Sequence, residues 1–134
     1  MPDPTFATRL SRALGIPYPI FGFCHGAAVV AEVTKFGGLG VFGATRSTPE
    51  EIADRLKWIR AQVGPRPFGV NLVLPDGMPE HDDRDTIEAQ LPEPHRAFVK
   101  GLYEKYKVPA ATKAGMRSRF VRSEEMARRQ IEVI

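Results

Sequence analysis

The feature that most restricts this chain is an alternation of short apolar runs with helix-forming stretches between Tyr18 and Val73. The first run, Tyr18-Pro19-Ile20-Phe21-Gly22-Phe23-Cys24-His25-Gly26, opens after a proline and closes on a glycine beside a thiol and an imidazole. Proline cannot donate to a ladder and is tolerated only at the start of a strand. The aromatic and β-branched residues behind it suit a buried pleated surface. Ala27 to Phe36 predicts a helix stopped by Gly37-Gly38. Leu39 to Gly43 predicts a second strand, Thr48 to Val63 a second helix, and Phe68 to Val73 a third strand. Strand and helix alternating at this spacing predict βαβ units, hence an α/β fold with a parallel sheet and right-handed crossovers. Sites in such folds lie at the carboxyl ends of the strands, here Cys24-His25, Gly43-Ala44-Thr45 and Asn71 to Pro75.

The second helix is the best-marked element. Ser47 or Thr48 caps it, Pro49 occupies its first turn, Glu50 and Glu51 complement its dipole, and Ile52, Leu56, Ile59 and Val63 form a buried stripe. Asn71 is a lone amide near the end of an apolar strand, and a buried amide there must find partners. Upstream, Phe6 to Leu14 predicts a short helix with Thr5 as cap and Gly15 as stop. Downstream of Pro75 the character changes to polar and turn-rich, followed by an amphipathic segment, Pro94 to Tyr106, with Phe98, Leu102 and Tyr106 on one face. A Pro/Gly-broken stretch, Pro109 to Gly115, leads to a last helix opened by Ser123-Glu124-Glu125 and expected to run to Ile134. The connection after the third strand is therefore an insertion of about fifty residues, far longer than ordinary βα loops. The expected organisation is one partial domain: residues 1–75 carrying three strands, 76–122 a lid-like insertion, and 123–134 a helix.

Composition narrows the class. A chain of 134 residues is the size of one ordinary domain, and it holds no apolar run long enough to span a bilayer. Met1-Pro2-Asp3-Pro4 lacks the basic and apolar segments of a signal peptide, and the single Cys24 can form neither an internal disulfide nor a multi-cysteine zinc site. The expectation is a cytoplasmic chain with no membrane association. Residues 95–134 hold ten Lys/Arg against four Asp/Glu, while residues 1–94 hold nine against twelve. That basic end does not make a nucleic-acid surface, because Arg117, Arg119, Arg122, Arg128 and Arg129 alternate with apolar and acidic residues and no recognition motif accompanies them. A solvated helix face, or one that meets another protein, accounts for it.

The short motifs carry less than their spelling suggests. Gly38-Leu39-Gly40-Val41-Phe42-Gly43 matches G-x-G-x-x-G, yet a dinucleotide fingerprint places its glycines after a strand and at the mouth of a helix. Here they begin the strand, so they serve close backbone approach instead. Cys24 and His25 have the chemistry of a nucleophile and a base, but neighbouring strand residues point to opposite faces and cannot form a hydrogen-bonded dyad. One of them can face a ligand at the strand end, where His25 is the candidate catalytic donor or base; the alternative is a buried small thiol and a loop histidine. His81 and His95 lie near Asp82, Asp83 and Glu93, but their spacing fits no metal motif, and no metal is expected.

Four ordered blocks carry a resemblance: Leu14-Gly15-Ile16-Pro17-Tyr18-Pro19-Ile20, Gly37-Gly38-Leu39-Gly40, the Pro49-Glu50-Glu51 helix, and Arg66-Pro67-Phe68-Gly69-Val70-Asn71-Leu72. Together they resemble the opening of the nitronate monooxygenase (2-nitropropane dioxygenase-like) family. The resemblance implies the first βα units of a (β/α)8 TIM barrel that holds FMN at the carboxyl ends of its strands and oxidises alkyl nitronates with O2. By position, Phe23, Cys24 and His25 would contact the flavin and Asn71 would hydrogen-bond it. The family's first strand usually ends Gln-Ala-Pro-Met-Ala-Gly, where this chain has Gly22-Phe23-Cys24-His25-Gly26. An eight-stranded barrel takes about 250 residues, so the family's catalytic histidine and flavin-phosphate loops are expected beyond Ile134. These residues alone are expected not to hold FMN and to self-associate through the uncovered edge of the third strand. The competing expectation is a non-catalytic shortened copy, or a small α/β interaction module.

Overall fold

The computed structural model describes residues 6–81, 84–110 and 122–134. Thr5, Asp82, Asp83 and residues 111–121, with Arg117 and Arg119, lie outside them. The chain divides into two compact units, one made of the residues up to Pro75 together with Arg128–Ile134, the other of Asp76–Ala127.

The first unit is built on three parallel strands, β1 (Phe21–Cys24), β2 (Leu39–Gly43) and β3 (Gly69–Asn71), in the order β1-β2-β3. Phe21 pairs with Leu39 and Cys24 with Phe42; Val41 pairs with Gly69 and Gly43 with Asn71. Two helices, α2 (Ala27–Lys35) and α3 (Pro49–Val63), supply the crossovers, completing the α/β arrangement expected from the alternation of runs. Residues two apart on a strand share a face, so Gly22, Cys24, Gly40 and Phe42 lie on one side and Phe21, Phe23, Val41, Gly43, Gly69 and Asn71 on the other.

Among the described residues of the first unit, helices pack only the first of these faces. Val30, Ala31, Phe42, Ala44, Ile52, Ile59 and Val63 form its core. Helix α2 lies so close that a Cβ at Gly40 would sit 2.2 Å from the Val30 carbonyl oxygen. The α3 stripe is as expected, with Ile52, Ile59 and Val63 buried and Leu56 half-buried against them. Thr48 and Glu51 form the capping box that starts this helix: Glu51 N–H donates to Thr48 Oγ1 and Thr48 N–H to Glu51 Oε2.

Three expectations for the strands and the first helix need correction. The first strand is not buried: Phe21 and Phe23 are 48% and 57% exposed, because no described element covers their face of the sheet. The third strand pairs over three residues only, and Asn71 at its end is exposed. The first helix, α1 (Arg9–Leu14), starts later than Phe6, because Thr8 and Ser11 satisfy each other's backbone N–H groups in a reciprocal box.

The last helix, α6 (Glu124–Glu132), stops short of Ile134, where Ile134 N–H turns back to the Ile131 carbonyl. Within the first unit Val133 packs on the core and Gln130 is buried.

In the second unit, Ser123 Oγ accepts from Met126 N–H and caps α6, while Glu124 and Glu125 N–H donate to the carbonyls of Pro79 and Glu80. Two further helices follow Pro75, α4 (Arg84–Ala89) and α5 (Glu93–Lys105). Helix α5 is amphipathic as expected, but none of its residues is buried, and of its apolar face only Leu102 is half-covered. Among the described residues, no helix is long and apolar enough to cross a membrane.

Candidate functional site

The uncovered face ends, at the carboxyl side of the strands, in a cluster of Phe23, His25, Gly43 and Asn71. Just past the end of β1 the His25 ring turns toward β2, and its Nδ1 lies 2.8 Å from the Gly43 carbonyl oxygen. The Phe23 ring meets it edge-on, with centroids 5.2 Å apart and planes at 78°. Gly43 is glycine because both rings occupy its side-chain space: a Cβ there would stand 2.6 Å from His25 Nδ1 and 2.6 Å from Phe23 Cζ. No real Cβ packs that closely, so the cluster depends on the missing side chain. Since Asn71 pairs with Gly43, its amide shares the face of these rings, and it is exposed there.

Cys24 goes elsewhere. Its side chain belongs to the opposite face, where it packs beside the core, and its Sγ accepts a 3.3 Å hydrogen bond from Gly26 N–H. The thiol and imidazole therefore have separate partners and form no dyad. Of the four residues assigned from the sequence, three side chains gather on one face, and Cys24 could meet a ligand there only through its backbone.

The strand ends are tied to one another. Ala44 N–H donates to the Asn71 carbonyl, Val73 N–H to Thr45 Oγ1, and Ser47 N–H to the Ala44 carbonyl. Gln130 closes the loop between β2 and α3, its Nε2 donating to the Ser47 carbonyl at 2.7 Å and reaching the Thr45 carbonyl at 3.5 Å. Sequence reasoning passed over Gln130. The signal was present: Met126, Gln130 and Val133 lie four and three apart, so a polar residue sits on the buried stripe of α6 and requires buried partners. Arg129 reaches Glu50 at 3.4 Å on the surface nearby. The Glu50 carboxyl is held below its ordinary value chiefly by a hydrogen bond from its own backbone N–H, then by Thr48, with Arg129 adding to it.

The histidines of the insertion have surroundings of their own in the second unit. His81 Nδ1 lies 3.3 Å from Glu125 Oε2, an exposed pair, and His95 lines an apolar groove on α5 with Leu91, Val99 and Tyr103. Among the described residues, no group of three His, Cys, Asp or Glu side chains could hold a metal.

A parallel sheet covered by helices on one face only, with ligand-competent groups at the carboxyl end of the other, is how a barrel wall looks from inside. The family model for nitronate monooxygenase matches residues 8–122. The chain belongs to the nitronate monooxygenase family. That family has the (β/α)8 barrel fold, and the three strands with their crossover helices are consistent with a part of such a barrel. A Mycobacterium tuberculosis protein named as a monooxygenase is 38% identical over 112 residues, covering 78% of this chain and 29% of that protein. A Staphylococcus aureus protein named as a nitronate monooxygenase is 35% identical over 71 residues, covering 50% of this chain and 20% of its own length. A second Mycobacterium tuberculosis protein, named as a dehydrogenase of a hydroxy-methyl-oxo-octahydroindene carboxyl-CoA, is 33% identical over 69 residues, covering 48% of this chain and 19% of itself. The chain thus spans under a third of the length of the curated relatives it matches. No solved structure gives a significant match.

Proposed function

We propose that this chain supplies the first three strand ends of the cofactor rim in an FMN-dependent oxidoreductase that oxidises alkyl nitronates with O2. The observation that carries the reading is the gathering of Phe23, His25 and Asn71 on the one helix-free face of the sheet, at the carboxyl ends of its strands. These residues fit the ring of a flavin: Phe23 offers an exposed apolar surface, and Asn71 and His25 offer exposed polar groups beside it. They do not make a phosphate site, because Gly38 and Gly40 stand at the start of a strand and not at a helix N-terminus. A bound flavin would accept the electrons of the substrate and pass them to oxygen. The chain's own share is placement, with Phe23 and Asn71 fixing the ring, the Cys24 backbone lining its edge, and Thr45 and Gln130 holding the strand ends still. The lid role of residues 76–122 belongs to the same proposal.

Asn71→Leu tests it. Leucine keeps the bulk and removes both amide groups, so a hydrogen bond to the cofactor is lost and its partner is left unpaired. The loss is about 1–3 kcal/mol, or roughly fivefold to 150-fold in the flavin dissociation constant of the full-length protein. An unchanged constant, measured by quenching of flavin fluorescence, would refute the assignment.

A further inference from the structure

The contact between His25 Nδ1 and the Gly43 carbonyl has a consequence for ligand recognition. A carbonyl oxygen can only accept, so at 2.8 Å the nitrogen facing it must carry a proton. In the neutral ring this leaves Nε2 with a bare lone pair, the reverse of the tautomer that free histidine prefers. The arrangement is over-determined. The Phe23 ring stacks edge-on against the imidazole, and the absence of a side chain at Gly43 leaves the space that Nδ1 occupies. The residue itself is exposed. The neighbouring Cys24 thiol lies on the opposite face and is engaged with Gly26 N–H.

We propose that His25 is a fixed hydrogen-bond acceptor of the strand-end site, its Nε2 selecting a ligand that presents a polarised N–H or O–H group. The inference deepens the flavin reading and rests on it for the occupant. The cofactor is the source with this chemistry, since an alkyl nitronate is an anion whose oxygens only accept. The tautomer makes the polar group that His25 offers the flavin an acceptor.

Two substitutions divide the two ring nitrogens. His25→Asn places an amide N–H near the position of Nδ1 and keeps the bond to Gly43 while deleting the acceptor at Nε2. His25→Gln carries its amide further out, keeping an acceptor near Nε2 and losing the inner donor. Full-length protein is loaded with FMN, its dissociation constant measured, and steady-state kinetics run with a nitronate. The expected result is about a tenfold loss for His25→Asn, the size of one hydrogen bond, and a smaller loss for His25→Gln. The loss falls on the FMN constant, and a loss confined to KM with FMN affinity intact overturns the proposal. A purely structural histidine gives the opposite order, so His25→Asn performing as well as His25→Gln or better overturns the proposal. A second measurement needs no variant and no flavin: the imidazole 15N shifts of the unmodified protein, at a pH where the ring is neutral, should show a protonated Nδ1 and a bare Nε2. The opposite pattern also overturns it. If the unmodified protein binds no flavin, the function reading fails, while the nitrogen shifts still decide the tautomer.

Discussion

Gly40 and Gly43 lie on the same strand but on opposite faces, and replacing each by alanine should have effects of different kinds. At Gly40 the new methyl group would stand 2.2 Å from the Val30 carbonyl oxygen and 2.9 Å from its carbon, which are backbone atoms of α2. They cannot swing aside, so the helix must lift by about 1 Å from a sheet against which Val30, Ala31 and Phe42 are fully buried. Overpacking of this sort costs about 1–3 kcal/mol. The shift also strains the bond from Gly40 N–H to Thr34 Oγ1, worth about 1 kcal/mol more. At roughly 3–4 °C per kcal/mol for a chain of this size, Gly40→Ala should lower Tm by about 10 °C. At Gly43 the obstructing atoms belong to two exposed rings that can rotate away. Gly43→Ala should therefore cost under about 1 kcal/mol of stability while displacing His25 and Phe23 from the site. Differential scanning calorimetry, paired with flavin titration of the full-length protein, reads both effects. Equal Tm losses, or a Gly43→Ala protein that binds flavin normally, would refute the division of the sheet into a packed face and a site face.

Other consequences follow from single contacts. Cys24→Ala should leave turnover within about tenfold, roughly 1.4 kcal/mol of barrier, because the thiol faces the helix layer; a thousandfold loss in kcat with flavin still bound would make it catalytic. Gln130→Leu leaves the buried carbonyls of Ser47 and Thr45 without their donor and should cost about 1–3 kcal/mol in chemical denaturation, whereas a change below about 0.5 kcal/mol would show that water replaces the amide. The Glu50 carboxyl titrates in the folded chain below its ordinary value of 4.5, so its contribution is present above that pH and is lost as the pH falls through the lower folded value. Glu50→Gln should accordingly flatten the acid side of the Tm-versus-pH curve, and an unaltered curve would contradict the assignment.

Much of this fold could be read from the sequence, for reasons visible in particular residues. Thr48, Pro49, Glu50 and Glu51 announce a helix start through local hydrogen bonds and charge, and these are the contacts the helix makes. The parallel strands were legible because apolar runs and helices alternate. What the sequence concealed was which strand face is covered. Phe21 and Phe23 read as buried because aromatic strand residues usually are, yet their exposure depends on elements that local pattern does not specify. The site was legible as a place, the strand ends, and less so as a geometry. Alternation separated Cys24 from His25, but the clasp of His25 by Gly43 joins residues 18 positions apart and required the register of two strands. Gln130 escaped for the same reason, since its partners lie 83 and 85 residues away.

The central claim is that the helix-free face at the carboxyl ends of β1, β2 and β3 receives the flavin ring. A crystal structure of the full-length protein with FMN tests it most directly. The account predicts the isoalloxazine against Phe23, with the Asn71 amide and the His25 edge within hydrogen-bonding distance of the bound molecules and the Cys24 thiol turned away. A flavin seated elsewhere, or one that touches none of Phe23, His25 and Asn71, would contradict it.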